Sequence, residues 1–333
     1  LRIFLLPSLK ITMLIFHSKM ASHSLLFNYI KGIKIMKSLT LSKFFLSILL
    51  ISFAGILFAE TQLIKLWETN ADFKLPESVI YDKENDILYV SNMQGDPFTK
   101  DKNGFISKVD VDGKIIKLKW IEGLNAPKGL TISKGKLYAA DVNELVEIDI
   151  KTGKITKKLE AAGATFLNDV TVDTNGNIYV SDMFNDAIYK LDSFNQLTKW
   201  LYSPKLEAPN GLHYEKGQLI VASWGHPTNG FAPSVVGHLK SISLKNKEIK
   251  SLGNGQPVGT LDGIESDKNG NYFVSDWVGG KLLYIQPDGN FKSLVTLTQG
   301  AADHEVIHDK NLLILPMMNI DDGSGKLIAF EIK

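Results

Sequence analysis

The stretch that decides the fold is Asn168-Asp-Val-Thr-Val172, followed by the turn Asn175-Gly-Asn177 and a second apolar run, Ile178-Tyr-Val-Ser181. Two short β-rich runs joined by an Asn-Gly turn predict a β-hairpin. Five related copies each begin with a polar or charged segment: Glu77-Ser-Val-Ile-Tyr81, Lys128-Gly-Leu-Thr-Ile132, Asn210-Gly-Leu-His-Tyr214, Asp262-Gly-Ile-Glu-Ser266 and Asp303-His-Glu-Val-Ile307. With His304 as the equivalent residue of the last copy, the repeat recurs about every 45 residues, which is a propeller-blade period.

Each copy continues with an alternating third strand and a fourth strand richer in lysine, as in a propeller blade. The fold class predicted is therefore all-β, a six-bladed β-propeller. The sixth copy lacks a fourth strand after residues 327–332, so residues 62–67 are predicted to supply it and close the ring. An all-β sandwich is the alternative, and the sixfold recurrence disfavours it.

Composition narrows the possible functions. The chain has 37 basic and 36 acidic residues and a net charge of +1, which gives no electrostatic reason to expect a nucleic-acid partner. It contains no cysteine, which excludes disulfides, thiolate nucleophiles and cysteine-bound zinc.

The N-terminal region has the layout of an export signal. After Met36, Lys37 and Lys43 precede an almost continuous apolar run, residues 44–58, and Ala59 is a plausible cleavage point. Residues 36–59 are predicted to be the signal and residues 60–333 a periplasmic or secreted propeller with no stable membrane association after cleavage. Residues 1–35 are expected to be non-native sequence translated from upstream of Met36. An uncleaved anchor is the alternative.

The repeat predicts a cation site. In a propeller the innermost strands line the central channel, so residues that begin these strands meet at one mouth. Four of them would offer two carboxylates and two amide oxygens: Glu77, Asn168, Asn210 and Asp262. These hard donors favour Ca²⁺, with Mg²⁺ or Mn²⁺ also possible. Taken singly, each could instead be a turn or loop residue.

Four motifs carry a family resemblance: Leu75-Pro-Glu77-Ser, Leu167-Asn168-Asp169, Pro209-Asn210-Gly211-Leu and Leu261-Asp262-Gly263-Ile. From about residue 70 onward the chain resembles the gluconolactonase, regucalcin (senescence marker protein) and luciferin-regenerating enzyme family of six-bladed, calcium-dependent propellers. The resemblance implies that Glu77, Asn210 and Asp262 hold the metal, and that Asp262 is the general base. It makes Asn168 either a ligand or a contact to substrate through metal-bound water.

The resemblance has a gap at Phe166. Sugar lactonases of the family commonly carry an arginine there, two residues before Asn168, where it holds substrate hydroxyls. The resemblance therefore supports the metal site more strongly than it supports a sugar substrate.

Other residues are candidates for the same mouth of the channel. Lys128 could bind a carboxylate or stabilise an oxyanion, or could be a solvated turn residue. His304 could act as an acid or base, or be a hydrogen-bonded channel histidine. Four residues that follow the second strands could form an apolar collar around the pocket, or could be simple packing residues at strand ends: Met93, Met183, Trp224 and Trp277.

The sequence thus predicts an exported, calcium-dependent hydrolase of a small-molecule lactone or related cyclic ester, with Asp262 or His304 activating water. The chain has no Gly-x-Ser-x-Gly motif, so an acyl-enzyme is not indicated. The alternative is a non-catalytic propeller that binds a protein or cell-envelope ligand and uses the ion structurally. An open metal position below a pocket would favour the hydrolase.

Overall fold

The structure, a computed structural model, describes residues 60–333. The predictions for residues 1–35 and 36–59 lie outside this range. The described part is almost entirely β-structure, apart from two one-turn 3₁₀ helices at Met183–Asn185 and Pro204–Leu206. None of its helices is long and apolar enough to cross a membrane.

The strands follow one another along the chain in regular order. The first nine are β1 (Leu63–Glu68), β2 (Pro76–Asp82), β3 (Ile87–Asn92), β4 (Gly104–Asp110), β5 (Ile115–Leu124), β6 (Pro127–Ser133), β7 (Lys136–Asp141), β8 (Glu144–Asp149) and β9 (Lys154–Glu160). The next ten are β10 (Leu167–Val172), β11 (Ile178–Asp182), β12 (Ala187–Leu191), β13 (Leu197–Tyr202), β14 (Pro209–Glu215), β15 (Gln218–Ser223), β16 (Pro227–Asn229), β17 (Ala232–Pro233), β18 (Leu239–Ser243) and β19 (Ile249–Ser251). The last seven are β20 (Leu261–Ser266), β21 (Tyr272–Asp276), β22 (Lys281–Ile285), β23 (Phe291–Thr296), β24 (Glu305–Ile307), β25 (Leu312–Asn319) and β26 (Ser324–Ile332).

These strands form six four-stranded antiparallel sheets, which confirms the predicted six-bladed propeller. Five sheets are consecutive in sequence, except that the fourth blade has the short β16–β17 hairpin inserted between its second and third strands. The sixth blade has the order β1-β26-β25-β24, with Leu63 opposite Ile332 and Glu68 opposite Ile328. The predicted closure is therefore confirmed: β1 covers the edge of β26 and joins the N-terminal strand to the C-terminal blade.

The core lies between blades. Six clusters of buried apolar residues each join one blade to its neighbour around the ring. For example, Tyr138 and Leu145 of the second blade pack with Val170 and Val180 of the third. The outermost strands are the more polar ones, as in β9, where partly buried and exposed residues alternate. Each blade thus buries both faces of its inner strands against its neighbours.

A β-bulge recurs near the start of the innermost strands. Pro76 pairs with Asn92, but Val79 pairs with Val90, so β2 has one extra residue at Glu77-Ser78. The same irregularity occurs at the corresponding positions of β6, β10, β14 and β20. A bulge redirects the side chains that it contains. Five blades therefore present their bulge residues in the same way.

Small residues let the bulges approach one another. A Cβ atom added to Gly129 would lie 2.5 Å from the Cα of Asp169 in the next blade, and one added to Gly263 would lie 2.5 Å from the Cα of Asp303. Any larger residue would force the inner strands apart at these points. The glycines of the Lys128-Gly129 and Asp262-Gly263 motifs are therefore packing requirements of the ring as well as turn signals.

The sixth blade corrects the predicted repeat. Ala301 pairs with Met317 as Leu167 pairs with Asp182. The amide of Met318 donates to the Gly300 carbonyl, 2.9 Å away, as the corresponding amide of the third blade donates to Phe166. Ala302, rather than His304, is therefore the equivalent of Asn168. The predicted equivalence was wrong by two residues because a two-residue slip preserves the strand alternation.

Candidate functional site

A cavity of about 280 Å³ opens at the mouth where the bulges meet. Its polar lining comes from five different blades: Glu77, Lys128, Asn168, Asn210 and Asp262. All four predicted metal donors and the predicted lysine are thus brought to one cavity. Every one of these side chains is at least 95% buried. His304 is not among the described residues that line this cavity.

Two oxygen atoms at the cavity lack the partners that buried polar atoms normally have. Glu77 Oε2 and Asn210 Oδ1 are buried and make no hydrogen bond with any described residue. Burying a carboxylate that has no partner costs on the order of several kcal/mol. Burial first, and then the charges of Asp262 and Asp303, raise the pKa of Glu77 well above its usual range. Both oxygens are suited to a bound cation.

Asp262 is in a similar environment. Its side chain lines the cavity, and burial followed by the charge of Asp303 raises the pKa of its carboxyl. Within residues 60–333 no three His, Cys, Asp or Glu side chains form a metal-binding group. A cation here would therefore need the amides of Asn168 and Asn210 besides the two carboxylates, and this all-oxygen set suits a hard divalent ion.

The Lys128 ammonium is fully enclosed. Its Nζ donates to the carbonyls of Pro97 and Ala126, each 3.1 Å away, and lies 4.4 Å from the centroid of the Phe166 ring. Burial lowers the pKa of Lys128 to about 8, against the opposing effect of Glu77. Lys128 is thus a buried cation beside the donors that also ties the loop containing Pro97 to the cavity.

One residue beyond the donors lies a second set of buried carboxylates, which the sequence interpretation missed. Asp169 accepts hydrogen bonds from the amides of Val170 and Leu212, both at 2.6 Å. Asp303 accepts one from the hydroxyl of Ser78 at 2.6 Å, and burial raises its pKa to about 7. Because Leu212 and Ser78 belong to neighbouring blades, these carboxylates connect adjacent inner strands. Their position directly after the donor level in the repeat was the available signal.

His304 lies away from the cavity, at the position that Val170 occupies in the third blade. It is 1% exposed, and neither ring nitrogen makes a hydrogen bond of ordinary geometry with a described residue. Burial lowers the pKa of His304 to about 4, so the ring is neutral at neutral pH. The structure does not bring it to the donors, and its catalytic role stays a prediction.

The four residues of the predicted collar, Met93, Met183, Trp224 and Trp277, all line the cavity. Met318 is the corresponding residue of the sixth blade and lines it too; the slipped repeat concealed it. Phe166 and Phe231 complete the aromatic part of the lining. Phe231 comes from the β16–β17 hairpin, which belongs to no repeat and left no periodic signal. The cavity thus has polar groups at its floor and an apolar wall.

Comparison with known families places the chain. Residues 75–301 match the family described as the SMP-30/Gluconolactonase/LRE-like region. Because the match covers more than half of the chain, the protein belongs to this family, and the predicted resemblance is confirmed. No curated protein sequence shows significant similarity to it.

Solved structures support the fold. A gluconolactonase from Xanthomonas campestris superimposes with a TM-score of 0.58 at 14% identity, covering 82% of this chain and 90% of its own. A virginiamycin B lyase from Staphylococcus aureus, solved with quinupristin, has a TM-score of 0.55 at 15% identity, with 82% and 99% coverage. At such low identities these similarities concern the fold alone.

Proposed function

We propose that this propeller is a metal-dependent hydrolase of a lactone or related cyclic ester, with Ca²⁺ as its ion. The observation that carries the proposal is the pair of unpartnered oxygens, Glu77 Oε2 and Asn210 Oδ1, at the floor of a cavity that also contains Asp262 and Asn168. Membership of a family that includes gluconolactonases supports lactone chemistry at the level of the family.

Glu77, Asn168, Asn210 and Asp262 would hold the ion. When bound, a divalent cation supplies Lewis-acid polarisation of a carbonyl oxygen. Positive charge at this point would also counter the repulsion between Glu77 and Asp262 and favour their ionised forms. The four side chains therefore provide both the oxygens and the two negative charges that such an ion requires.

Asp262 is the proposed general base. Its carboxylate takes a proton from water, the water oxygen bonds to the carbonyl carbon, and the bond to the ring oxygen then breaks. Asp262 returns the proton to the departing alkoxide, so the products are a hydroxy acid and unchanged protein. The apolar wall keeps other water away from the reacting groups and strengthens electrostatic interactions at the floor.

The alternative of a non-catalytic binding platform is less well supported. A purely structural ion would be enclosed by protein ligands, whereas these donors line an open cavity beside collar residues such as Trp224 and Trp277. A cavity above the donors provides space for a small molecule and is the usual arrangement of a ligand site.

The proposal can be tested with a panel of lactones and cyclic esters, assayed with the mature chain in excess Ca²⁺ and again in excess chelator. We expect opening of at least one lactone with Ca²⁺, loss of that activity with chelator, and recovery when Ca²⁺ is restored. Calorimetry with Ca²⁺ alone measures metal binding separately. Failure of the calcium-loaded protein to open any ester in a broad panel would favour the binding platform.

We also propose that the chain is exported and cleaved near Ala59, because residues 36–59 have the layout of an export signal. N-terminal sequencing of protein from the periplasm or medium of its native host tests this. A mature chain that begins near Glu60 would support export. A soluble cytoplasmic chain that retains Met36 would contradict it.

A further inference from the structure

Four phenylalanine rings form one cluster beside the cavity: Phe98, Phe166, Phe184 and Phe231. Their six centroid-to-centroid distances lie between 4.7 and 5.9 Å, so every ring contacts the other three. We call these four residues the phenylalanine cluster. None of its residues belongs to the six apolar clusters that join neighbouring blades. The packing of blade against blade therefore does not account for it.

The cluster is assembled from separate parts of the chain. Phe98 lies in the loop between β3 and β4, Phe184 in the 3₁₀ helix after β11, and Phe231 between β16 and β17. Phe166 directly precedes β10 and is 3% exposed, whereas the other three rings are 36–45% exposed. Three segments outside the blade strands thus each contribute one ring to the cluster, and much of the surface of these rings remains accessible.

Two hydrogen bonds position the segments that carry the phenylalanine cluster. The Trp224 indole donates to the Phe231 carbonyl at 2.7 Å, and the Lys128 ammonium donates to the carbonyl of Pro97, the residue before Phe98. Trp224 also contacts the Phe231 ring, with centroids 6.3 Å apart, and the Trp277 ring at 5.8 Å. The aromatic surface therefore continues from the phenylalanine cluster across the collar.

The wall offers little to a polyhydroxylated ligand. Among the described residues that line the cavity, the hydrogen-bonding side chains are those at the floor and the Trp224 and Trp277 indoles. The Trp224 indole already bonds to Phe231. A sugar lactone would have to bury hydroxyls against Phe166, Phe231 and methionine side chains, and an unpaired buried hydroxyl costs about 1–3 kcal/mol.

We propose that the substrate is a lactone bearing an apolar alkyl or aryl substituent, which packs on Phe166 and Phe231, the two rings of the phenylalanine cluster that line the cavity, and on the collar while the ester lies at the floor. This inference rests on the proposed function for the reaction, but the aromatic wall carries the choice of substituent. A cavity of about 280 Å³ is near the lower end of the range for small-ligand pockets, which suits one aromatic ring or a short chain.

The test compares γ-lactones of increasing alkyl chain length, and dihydrocoumarin, with D-glucono-1,5-lactone under calcium saturation. Each CH₂ that the wall buries is expected to raise kcat/KM about fourfold until the cavity is filled. Equal or better turnover of the sugar lactone would overturn the inference while leaving the proposed function intact.

Phe231→Ala tests the cavity lining directly, and Phe98→Ala tests a ring that packs against Phe166 and Phe231 from outside the lining. Phe231→Ala is expected to lower kcat/KM for the longest good alkyl lactone about tenfold and for the unsubstituted γ-lactone much less, and Phe98→Ala is expected to lower the first value by a smaller factor. Phe194→Ala is the matched control, since Phe194 is 81% exposed and its ring contacts none of the cluster rings. Equal losses on both lactones, or no loss in properly folded variants, would count against the wall as the binding surface.

A binding measurement separates the two proposals. Alkyl-substituted δ-lactams, which resist hydrolysis, are titrated by calorimetry against the wild-type and Phe231→Ala proteins, with a polyhydroxylated lactam for comparison. The inference is supported if the wild type binds apolar lactams more tightly than the polyhydroxylated lactam, and if the variant binds the apolar lactams more weakly than the wild type does. This holds even if no lactone is hydrolysed; in that case the proposed function alone fails. Preference for the polyhydroxylated lactam overturns the inference.

Discussion

Two adjacent levels of the channel carry buried carboxylates, and the protein treats them differently. At the mouth, Glu77 has an oxygen with no hydrogen bond from any described residue. One residue deeper in the repeat, Asp169 and Asp303 accept hydrogen bonds from neighbouring inner strands. The deeper carboxylates accept hydrogen bonds that connect neighbouring blades, whereas the carboxylates at the mouth remain suited to binding a ligand. Burial alone therefore does not distinguish a binding carboxylate from a structural one; its remaining hydrogen-bonding capacity does.

The largest effect is expected for Asp262→Asn. Loss of a general base usually lowers the rate about 10²–10⁴-fold, while Asn keeps the shape and one oxygen, so the melting temperature measured in chelator should change little. Asp72→Asn is the matched control, because Asp72 is an exposed carboxylate outside the cavity. Steady-state kinetics and thermal unfolding provide the two measurements. Wild-type turnover in Asp262→Asn would refute the mechanism without refuting the enzyme class.

Calcium should stabilise the wild-type protein through the mouth carboxylates. Ca²⁺ at one hundred times its Kd adds about 2.7 kcal/mol to the free energy of unfolding if it binds only the folded state. Glu77→Gln should lose most of this gain, yet be no less stable than wild type in chelator, because it removes a buried carboxyl whose pKa is raised. Chemical denaturation with and without Ca²⁺ measures both quantities. An undiminished calcium gain would remove Glu77 from the site.

His304 extends the comparison one level deeper, where the other blades carry an apolar residue such as Val170 or Leu212. Its folded-state pKa of about 4 is below the ordinary value of 6.5, so the unfolded chain binds more protons between these pH values. Stability should therefore fall as the pH falls through this window, by about 2 kcal/mol at pH 4.5.

His304→Leu should remove this part of the pH dependence, because leucine cannot be protonated and is the residue type found at 212. Glu265 favours the protonated ring and the nearby His213 opposes it, so both enter the comparison. Unfolding free energies at pH 7 and pH 4.5 provide the measurement. An identical difference in wild type and variant would show that His304 is not the responsible group.

An effect on stability of similar size to that of His304 is expected for Asp169→Asn. Its single remaining carbonyl oxygen cannot accept from both Val170 and Leu212, so the variant should lose about 1–3 kcal/mol of stability with or without calcium. Its calcium gain should stay close to that of wild type, the reverse of Glu77→Gln. Equal behaviour of the two variants in chelator would remove the proposed distinction between the levels.

Much of the fold followed from local sequence patterns. Alternation and turns such as Asn175-Gly-Asn177 depend on neighbouring residues, so each blade could be predicted from its own segment, and the spare strand at residues 62–67 had one place to pair. The donor motifs at Glu77, Asn168, Asn210 and Asp262 could be found because each begins an inner strand. The equivalent residue of the sixth blade was predicted wrongly because Asp303-His304-Glu305 offers a polar residue in every register. Only the pairing of Ala301 with Met317 shows which register the strand adopts.

By itself the sequence determined the number of blades, the closing strand and the polar residues Glu77, Lys128, Asn168, Asn210 and Asp262 at the channel mouth, since these follow from a pattern that repeats from blade to blade. Only the tertiary structure decided which buried oxygens are already satisfied, as Asp169 is by Leu212 and Glu77 is not. It also decided that Phe98, Phe184 and Phe231 meet. Their loops have no period, and their contacts depend on how distant blades are arranged around the axis.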